Sequence, residues 1–530
     1  MQMNNFLKDY RVRLLSIALF SILTAMGLLF SVYLFMDSVS PYTYIVASLF
    51  LILTLISGFF NITTSYWYYR SYFYDDYLAK IKKTLKPVRR FPSIAIAMPV
   101  FNEDPAIVEK NMLRMREMNY PKSRLKYYLL DDSTDAAIAS ELRRFCTANN
   151  VAYLHRAERK GFKAGALNNM LKHSNEEFVA IFDYDEYLTD PNFIMDTLPY
   201  FGDKRMSYVQ TEKSYSKGTL FSDSINLFDA FFFRFIQPAR ALNNTAIFSG
   251  SCGIIKRSAL DVIGGFPEYI IEDTFFSFES DMNEYKSLYL PKIYALGKPI
   301  KKFSELAKQQ WRYNYGDTQF LKYFVSSSKG GDRKTLSRIS TIDYISHGFG
   351  LNYISGILLL FTIASILIVF SSFPIAHLSL SSILITKNIN LQLEILGFSV
   401  FFISLIMPIM LTKVYFNSAK RGLMVFIINF ALSFVRTKAG ISAFLNLSPK
   451  LKWARPKGGQ KWDITHAIKN STLEIIFAVM LLVLGAIALI VDNFFGGLWL
   501  LWYGVLYSSS SQIAMIVPLS VSWPLKYIID

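Results

Sequence analysis

Long apolar stretches lie towards both ends of the chain and enclose a central region in which the apolar runs are short. Residues 14–35 and 44–60 form the first two stretches. Each is long enough to cross the roughly 30 Å of a bilayer's hydrocarbon as a helix. Four further stretches follow in the last third of the chain, at residues 345–370, 393–411, 473–491 and 495–519. The pattern therefore predicts about six transmembrane helices.

A shorter apolar segment, residues 423–435, is followed by a basic loop. The segment is about one turn too short to span a bilayer, so we expect an amphipathic or re-entrant helix in the membrane interface.

Basic residues predict the orientation in the membrane. Lys and Arg precede the first apolar stretch, follow the second and fill residues 413–470, whereas the loops after the first, third and fifth stretches carry almost no charge. Basic loops remain on the cytoplasmic side. We therefore expect a multi-pass protein of the cell membrane, with its central region, both termini and residues 413–470 in the cytoplasm.

The central region, residues 91–319, alternates short apolar runs with charged helical segments. Residues 105–118 form a predicted helix, with Asp104 as its N-cap before Pro105. Alternation of strands and helices predicts a mixed, largely parallel sheet flanked by helices, with ligands bound beyond the carboxyl ends of the strands. The predicted strands are residues 93–99, 125–130, 151–155, 178–183 and 206–211.

These patterns divide the chain into six parts. They are two N-terminal membrane helices (1–66), a basic juxtamembrane linker (67–90), a cytoplasmic domain with interfacial helices (91–335), membrane helices three and four (336–415), a cytoplasmic interfacial helix and loop (416–471), and membrane helices five and six with a short tail (472–530).

The composition fits a membrane protein that carries a folded domain. Hydrophobic residues make up 52% of the 530 residues and charged residues 18%, which excludes a disordered, collagen-like or coiled-coil chain. Much of the net charge of +16 lies beside the apolar stretches, so we expect the lipid bilayer, and not nucleic acid, as a partner. Cys146 and Cys252 are too few for a disulfide framework or a Cys-based zinc site.

Two aspartates end one of the predicted strands. Asp183 and Asp185 are separated by one residue, and side chains at i and i+2 project to the same side of a strand. Their carboxylates are hard ligands for Mg²⁺ or Mn²⁺, with a substrate diphosphate completing the coordination. The alternative is a pair of acids in a surface turn.

Polar side chains also end two other predicted strands at the same edge of the sheet. Asn102 and Glu103 follow the first strand, and Asp131, Asp132 and Ser133 follow the second. Together they could bind the base and ribose of a nucleotide. Each of residues 131–133 could instead cap a helix.

Three further segments carry candidate chemistry. Residues 160–168 open a helix with small residues, so that its N-terminus and Lys163 could hold a diphosphate. Asp273 follows a Gly-Gly turn and could be a catalytic base or a helix cap. In residues 309–313, Arg312 could bind a phosphate and an aromatic ring could stack on a sugar. An interfacial helix with anchoring aromatic side chains is the alternative.

In this order, the motifs resemble those of processive family 2 glycosyltransferases. The chain is similar to cellulose synthase catalytic subunits and to hyaluronan, chitin, mannan and curdlan synthases. The resemblance implies a GT-A-type nucleotide-sugar domain. It also implies inverting, processive transfer from a UDP-sugar, UDP-glucose favoured, to a growing β-linked polysaccharide that passes across the membrane. The motifs are residues 99–103, 131–133, 163–168, 183–185, 248–251, 271–273 and 309–313.

The resemblance implies a role for each matching residue. Asp273 would be the general base, and Asp183 and Asp185 would hold a divalent metal, Mg²⁺ or Mn²⁺. Nucleotide-sugar binding would involve Asn102, Glu103, Asp131, Lys163, Asp183, Gln309 and Arg312. The growing glycan would contact Phe248, Ser249, Trp311 and Tyr313.

Three residues depart from the family pattern. Tyr313 stands where the family has Trp, Ile271 where it has Thr, and Ser249 where it has Cys. The changes at 313 and 249 alter the acceptor surface, so the acceptor sugar and the linkage stay open.

Residues 445–450 loosely resemble the family's gating loop, Phe-x-Val-Thr-x-Lys, which closes over bound donor. Ser448 and Lys450 would then reach the phosphates of the nucleotide. The alternative is that this basic loop contacts anionic lipid.

Two other functions remain open at this stage. A non-processive transferase could glycosylate a membrane lipid, although the motif at 309–313 and the four apolar stretches after it favour a polymerase. A transporter with a regulatory domain would need ionisable residues at mid-bilayer, and the apolar stretches contain almost none. The sequence names no accessory subunit.

Overall fold

The computed structural model describes residues 10–156, 158–327, 336–350, 352–370, 409–447, 471–491 and 493–516. These residues form a central α/β domain and the apolar helices that flank it in sequence. The helices are α1 Tyr10–Met36, α2 Pro41–Ser71, α3 Tyr74–Thr84, α4 Pro105–Met115, α5 Ala136–Ala148, α6 Phe162–Lys172, α7 Phe193–Thr197, α8 Leu220–Phe231, α9 Gln237–Leu242, α10 Arg257–Ile263, α11 Glu272–Met282, α12 Phe303–Ser327, α13 Arg338–Phe349, α14 Asn352–Val369, α15 Ala419–Phe444, α16 Thr472–Ile490 and α17 Phe494–Ile516.

Most strands of the domain belong to one seven-stranded sheet. The strands are β1 Ile94–Val100, β2 Leu125–Asp131, β3 Ala152–His155, β4 Phe178–Ile181, β5 Tyr187–Leu188, β6 Met206–Thr211, β7 Ser214–Tyr215, β8 Gly253–Lys256, β9 Lys286–Leu290 and β10 Ala295–Gly297. The order in the large sheet is β3-β2-β1-β4-β8-β6-β9, and β5-β10-β7 form a small second sheet. In the large sheet β8 is antiparallel to both neighbours and the other pairs are parallel. The predicted mixed, largely parallel sheet is confirmed.

The predicted strands coincide with observed ones because their apolar runs are buried on both faces of the sheet. Their ends differ from β1, β2, β3, β4 and β6 by at most two residues. In β1, Ile94 to Met98 have no exposed surface, as expected for a central parallel strand. Helix α4 begins at Pro105 as predicted, and Asp104 accepts a hydrogen bond from the Ala106 backbone N–H. The predicted helix continued to residue 118, whereas α4 ends at Met115.

The strand directions place several loops at one edge of the sheet. Because β8 is antiparallel to both β4 and β6, the strands β1, β2, β4 and β6 all point the same way. Helices cover both faces: Met112 and Leu142 pack against one, and Leu167 and Phe276 against the other. The carboxyl ends of these four strands are left for loops that carry polar side chains.

Four helices within the described residues are long and apolar enough to cross a membrane. They are Arg13–Met36, Pro41–Ser71, Ala419–Phe444 and Thr472–Ile490. The predicted number of six spans is therefore not confirmed. The stretch predicted at residues 393–411 lies almost entirely outside the described residues, and so does the end of the stretch at 495–519, which begins as α17.

The segment that we predicted to be too short to span is one of these four helices. Residues 423–435 are the middle of α15, which has 26 residues, so the predicted length was wrong. Arg421 and Arg436 interrupt the apolar run in the sequence. The helix continues through Arg436 because its guanidinium is buried and donates hydrogen bonds to Gln310 and Asn429.

The stretch predicted as one span at residues 345–370 is divided between two helices. α13 ends at Phe349 and α14 begins at Asn352. Between them Gly350 has a φ of 49°, and a Cβ at this position would meet the carboxylate of Asp317. The left-handed glycine ends the helix, so the expected single long helix was wrong.

Gly165, in the first turn of α6, lies against the loop that precedes the helix. A Cβ there would meet the Lys160 carbonyl oxygen and the Arg156 guanidinium. We expect Gly165→Ala to lower the free energy of unfolding by about 1–3 kcal/mol, because overpacking forces the backbone to shift. Thermal unfolding of the purified protein measures the loss. Gly202→Ala is the matched control, since nothing lies within 4 Å of its Cβ position. Equal effects of the two changes would contradict the prediction.

Candidate active site

Loops at the carboxyl edge of the large sheet bring charged residues together. Asp183 follows β4 and Lys213 follows β6. Helix α6 approaches the same edge with its N-terminus, where the N-cap Gly161 has a φ of 71°. This left-handed turn, which favours glycine, lets the first turn of α6 direct Lys163 towards Asp183.

Asp183 lies between two lysine side chains. Its Oδ1 accepts a hydrogen bond of 2.7 Å from Lys163 Nζ, and its Oδ2 lies 3.3 Å from Lys213 Nζ. Burial by itself would raise the pKa of Asp183, but the two ammonium groups outweigh burial and hold the pKa below its ordinary value. Asp183 is therefore ionised, and both of its oxygens are held in place.

A buried carboxylate, Glu186, supports this arrangement. Its Oε2 accepts a hydrogen bond of 2.8 Å from the Asp183 backbone N–H, and its Oε1 accepts one of 2.7 Å from Ser251 Oγ. Lys213 Nζ lies 3.3 Å from Glu186 Oε1 and 2.5 Å from Ser251 Oγ. These contacts tie the loop after β4 to the loop before β8.

Asp185 offers hard oxygen donors and forms no ion pair with the lysines of the cluster among the described residues. Burial and the negative charges of Asp183 and Glu186 raise the pKa of Asp185 to about 7. Within the described residues, the ion pairs of this cluster are made by Asp183 and Glu186 and none by Asp185. A divalent cation would relieve the excess negative charge, so the residues fit Mg²⁺ or Mn²⁺.

The protein side chains would not complete the coordination of such an ion. Among the described residues there is no group of three or more His, Cys, Asp or Glu side chains that could hold a metal ion. Oxygen atoms of a bound substrate would have to supply the remaining ligands.

Asp273 faces Lys163 across a glycine. Gly250 has a φ of 77°, and a Cβ on it would lie 3.1 Å from Asp273 Oδ2 and 3.5 Å from Lys163 Nζ. Lys163 also donates a hydrogen bond of 2.9 Å to the Gly250 carbonyl oxygen. The Asp273 carboxylate, the Lys163 ammonium group and the backbone of Gly250 therefore lie close together.

The two acidic residues at the start of α11, Glu272 and Asp273, both have a raised pKa. Burial raises the pKa of Asp273 above its ordinary value. Burial, together with the negative charge of Asp273, raises the pKa of Glu272 to about 7. A carboxylate whose pKa is raised in this way is a better base than an exposed one.

One face of helix α12 carries part of the motif at residues 309–313 and lies towards the site. Arg312 interacts electrostatically with the carboxylates of Glu272 and Asp183. Tyr313 is 38% exposed, and the Arg312 guanidinium lies 5.6 Å from the centre of its ring. Gln309 is partly buried on the same side of the helix, one turn before them.

The other face of α12 belongs to the core. Trp311 is 4% exposed and packs in a cluster with Phe221 of α8 and Ile428 of α15. Of the two aromatic residues predicted to contact the acceptor, Tyr313 is thus the accessible one. Trp311 joins the domain to α15.

Two of the predicted nucleotide ligands hold the loops of the domain in place. The Asn102 Oδ1 accepts hydrogen bonds of 2.9 and 3.0 Å from two backbone N–H groups of the loop after β2. Asp131 has no exposed surface and accepts hydrogen bonds from the Ser133 backbone N–H, 2.8 Å, and Tyr153 Oη, 2.6 Å. Their predicted contacts with a nucleotide stay predictions.

Glu103 lies beside these loops and is half-buried. The Tyr184 hydroxyl donates a hydrogen bond to its carboxylate, and burial raises the pKa of Glu103. Nearby, the Arg159 guanidinium lies 3.6 Å from the centre of the Phe101 ring. A charged and an aromatic group thus lie together beside Glu103.

The predicted acceptor residues of the segment before β8 differ in exposure. Phe248 is 1% exposed and packs edge-on against Tyr208 and Phe276 in the core. This places Phe248 away from any surface that could contact an acceptor. Ser249 is partly buried, and its backbone N–H donates a hydrogen bond of 2.7 Å to Gln210 Oε1.

Residues 95–264 match the family model for glycosyl transferase family 2. They include most of the large sheet and the loops after β1, β2, β4 and β6. The chain contains a family 2 glycosyltransferase domain.

Curated proteins that this chain resembles match over the same part of the chain. A cellulose synthase catalytic subunit [UDP-forming] of Pseudomonas fluorescens (strain SBW25) is 28% identical over 240 residues, which are 44% of this chain and 32% of the relative. One of Xanthomonas axonopodis pv. citri is 26% identical with the same coverage. A probable glucomannan 4-beta-mannosyltransferase 7 of Oryza sativa subsp. japonica is also 26% identical, over 44% of this chain and 42% of the relative. The match thus spans about a third of the length of the cellulose synthase subunits.

Among solved structures, a similar one is the mannosyltransferase PcManGT from Pyrobaculum calidifontis in complex with GDP-Man and Mn²⁺. The TM-score is 0.48 at 17% sequence identity, over 74% of this chain and 99% of that one.

Two residues of the glycosyltransferase domain's charged cluster were missed by the sequence analysis. Lys213 follows β6 at the same edge of the sheet as Asp183, so the argument from strand ends that identified Asp183 could have found it. Glu186 carries no such signal. Its role depends on a turn that brings its carboxylate back to the Asp183 backbone N–H, and three residues of spacing do not reveal that turn.

The predicted gating residues Ser448 and Lys450 lie outside the described residues. The chain just before them is hydrogen-bonded to α12. Tyr315 Oη donates a hydrogen bond of 2.8 Å to the Leu447 carbonyl oxygen, and Lys322 Nζ donates one of 2.7 Å to Asn446 Oδ1. The loop therefore starts beside the helix that carries Arg312.

Trp311 and Tyr313 are expected to respond differently to truncation. Trp311→Ala removes a large buried side chain and should lower the free energy of unfolding by about 3–5 kcal/mol. Tyr313→Ala should cost much less, because its ring is 38% exposed against 4% for Trp311. Thermal unfolding of both variants beside the unmodified protein tests the difference. A Tyr313 variant as unstable as the Trp311 variant would show that both rings belong to the core.

Proposed function

We propose that the protein transfers a sugar from a nucleotide diphosphate donor to a growing β-linked glycan, as a hexosyltransferase of the membrane. The observation that carries this proposal is the meeting of Lys163, Asp183 and Asp273 around Gly250, with Arg312 facing them from α12. Cations for a diphosphate and a base for an acceptor hydroxyl are the groups that sugar transfer requires.

The names of the similar proteins support the choice of donor and product. The two bacterial relatives are cellulose synthase subunits described as UDP-forming. For this chain we infer a UDP-sugar as donor, with UDP-glucose favoured. The rice relative is a glucomannan mannosyltransferase, so the identity of the hexose is part of the proposal to be tested.

The donor's diphosphate would lie between Lys163 on one side and Gln309 and Arg312 on the other. Asp185, with Asp183, would hold Mg²⁺ or Mn²⁺, which when bound offsets the charge on the departing diphosphate. An arginine suits the side of the diphosphate opposite Lys163, because its planar guanidinium can contact two phosphate oxygens together. Asn102, Glu103 and Asp131 would shape the nucleoside side.

The transfer itself would be a direct displacement. The acceptor hydroxyl oxygen forms a bond to the anomeric carbon while the bond from that carbon to the diphosphate oxygen breaks. Asp273 takes the hydroxyl proton, and the diphosphate leaves with the electron pair. Attack from the opposite side inverts an α-linked donor into a β-linked product.

The acceptor would approach along α12. A sugar presents an apolar face of C–H groups that packs on an aromatic ring, and Tyr313 is exposed beside Arg312. Trp311, on the opposite face, packs against α15, one of the four candidate membrane helices. This proximity favours a product that passes directly into a path through the membrane.

The basic residues near the first two helices indicate on which side of the membrane the domain lies. α3 and the linker after it carry exposed basic side chains, at Lys80, Lys82, Lys83, Lys86, Arg89 and Arg90. Basic segments remain in the cytoplasm. We therefore place the domain on the cytoplasmic side of the cell membrane, where nucleotide sugars are available.

The decisive assay supplies the purified full-length protein with single UDP-sugars and Mg²⁺ or Mn²⁺. We expect release of UDP with one sugar, a ladder of long chains, and loss of both in EDTA. A single glycolipid product would support a non-processive transferase instead. Transport without UDP release would overturn the proposed enzyme activity.

Asp273→Asn should abolish transfer while leaving UDP binding nearly unchanged. The change keeps the size of the side chain and removes its basicity, and general bases contribute about 10²–10⁴-fold to turnover. UDP release and UDP binding, measured on the same preparation, test this pair of outcomes. Asp261→Asn is the control, because Asp261 is an exposed carboxylate on the preceding helix.

The pH dependence of kcat gives a second test of Asp273 as the general base. Since burial raises the pKa of Asp273, the base form accumulates at a higher pH than for an exposed aspartate. The acidic limb of kcat should therefore lie above the ordinary aspartate pKa of about 3.9. If UDP affinity falls together with turnover in Asp273→Asn, the residue binds nucleotide and is not the base.

A further inference from the structure

Helix α11, which carries Asp273, begins without a side-chain cap. Its N-cap residue is Ile271, and no side-chain hydrogen bond caps the first turn. The family pattern has Thr at this position, whose hydroxyl is one of the groups that cap helices well, whereas Ile has no polar side-chain atom. The first N–H groups of a helix have no partner inside the helix. The position of this turn therefore depends on contacts with other parts of the chain.

Aromatic packing holds α11 against the next two helices. Phe275 and Phe278 of α11 pack edge-on against Phe320 of α12. Phe278 also packs edge-on against Tyr344 of α13, and all four rings belong to one buried cluster. Apolar burial has no directional preference. The cluster therefore keeps the three helices together without determining the orientation of the Asp273 carboxylate.

Hydrogen bonds supply direction at the start of α11. Asp273 Oδ1 accepts one of 2.8 Å from the Thr274 backbone N–H. Ser277 Oγ donates one of 2.7 Å to the Asp273 carbonyl oxygen and accepts one of 2.8 Å from the Phe248 backbone N–H. The turn that carries Asp273 is thus joined to the segment 248–251, which contains Gly250.

A further hydrogen bond joins the same turn to α13. Thr274 Oγ1 and His347 Nε2 lie 3.1 Å apart. Thr274 is 4% exposed, and His347 is partly buried, two residues before α13 ends at Phe349. A buried hydroxyl that loses its partner is costly, so this pair resists any displacement of the first turn of α11 away from α13.

We propose that Thr274 and His347 position the general base: their hydrogen bond fixes the first turn of α11 in place of an N-cap, and so holds the Asp273 carboxylate beside Gly250. The inference rests on the proposed function, since it takes Asp273 as the base. Both residues act through Asp273 and are positioning residues. A base works only within hydrogen-bonding reach of the acceptor hydroxyl, so a small displacement of Asp273 should slow transfer without changing the binding of UDP.

Thr274→Val in the full-length protein tests the proposal, because it keeps the shape of the side chain and removes the hydroxyl. We expect kcat for UDP release to fall about 10–100-fold, the range that a misplacement of about 1 Å can cost. The affinity for UDP should stay within about twofold of that of the unmodified protein. Thr274→Ser restores the hydroxyl and should recover most of kcat.

Thr197→Val is the matched control. It removes a hydroxyl that is equally buried and that donates a hydrogen bond of 2.7 Å to the Phe193 carbonyl oxygen, on α7. We expect its unfolding temperature to fall about as much as that of Thr274→Val, with kcat unchanged. Loss of a buried hydrogen bond would then be separated from loss of the position of the base.

A second experiment tests whether Thr274 and His347 act as a pair. His347→Phe keeps an aromatic ring without its nitrogens and should lower kcat about as much as Thr274→Val. The double variant should lose no more than the larger single loss, because one hydrogen bond is removed in all three. If Thr274→Val does not fold, as judged by thermal unfolding, His347→Phe replaces it, with His347→Gln as the conservative variant that retains a polar partner.

The outcomes separate this inference from the proposed function. A folded Thr274→Val variant with the kcat of the unmodified protein overturns the role of Thr274, and so does an equal loss in Thr274→Ser. Losses that multiply in the double variant overturn the pairing with His347. Full turnover in Asp273→Asn, or no UDP release from any UDP-sugar by the unmodified protein, would instead refute the proposed function.

Discussion

Five carboxylates are brought together at the carboxyl edge of the large sheet, and they repel one another unless cations lie between them. The acids are Asp183, Asp185, Glu186, Glu272 and Asp273, and the cations are Lys163, Lys213 and Arg312. Each lysine is placed by a different element, α6 and the loop after β6. The glycine backbone at 161 and 250 makes room for these approaches. The raised pKa of Asp185 indicates the part of this charge that the protein leaves uncompensated.

The same site is linked to the apolar helices by buried polar contacts. Arg436 of α15 has no exposed surface and donates hydrogen bonds of 3.0 and 2.8 Å to Gln310 Oε1, next to the exposed face of α12. At another junction, Asp343 accepts hydrogen bonds from Trp67 of α2 and from Thr245. A buried charge is costly unless its hydrogen bonds are satisfied. These contacts therefore fix the positions of the helices that contain them.

The strand ends illustrate how far sequence reasoning reaches into a site. Asp183 and Lys163 were predicted separately from a strand end and a helix start, and they form an ion pair of 2.7 Å. Asn102 and Asp131 lie at the predicted edge, yet protein groups engage both side chains. Sequence position places a residue at an edge of the sheet, but it does not determine whether its side chain forms hydrogen bonds with a ligand or with a neighbouring loop. The same limit applies to Trp311 and Tyr313, since a difference of two positions on one helix puts one ring in the core and the other at the surface.

The sequence by itself determined five of the seven strands of the large sheet, the edge at which its polar residues gather and the presence of apolar helices. These features follow from local periodicity and from the lengths of apolar runs, which are properties of neighbouring residues. Tertiary structure alone decided that α15 continues through Arg436, that Gly350 divides the span predicted at residues 345–370, and that Lys213 and Glu186 complete the charged cluster. Arg436, Gly350 and Lys213 each depend on a partner distant in the chain, namely Gln310, Asp317 and Asp183. Glu186 depends on the turn that returns its carboxylate to the Asp183 backbone N–H. The energy of a buried charge, or of two chain segments in close contact, depends on such a partner. The pattern of neighbouring residues therefore does not predict it.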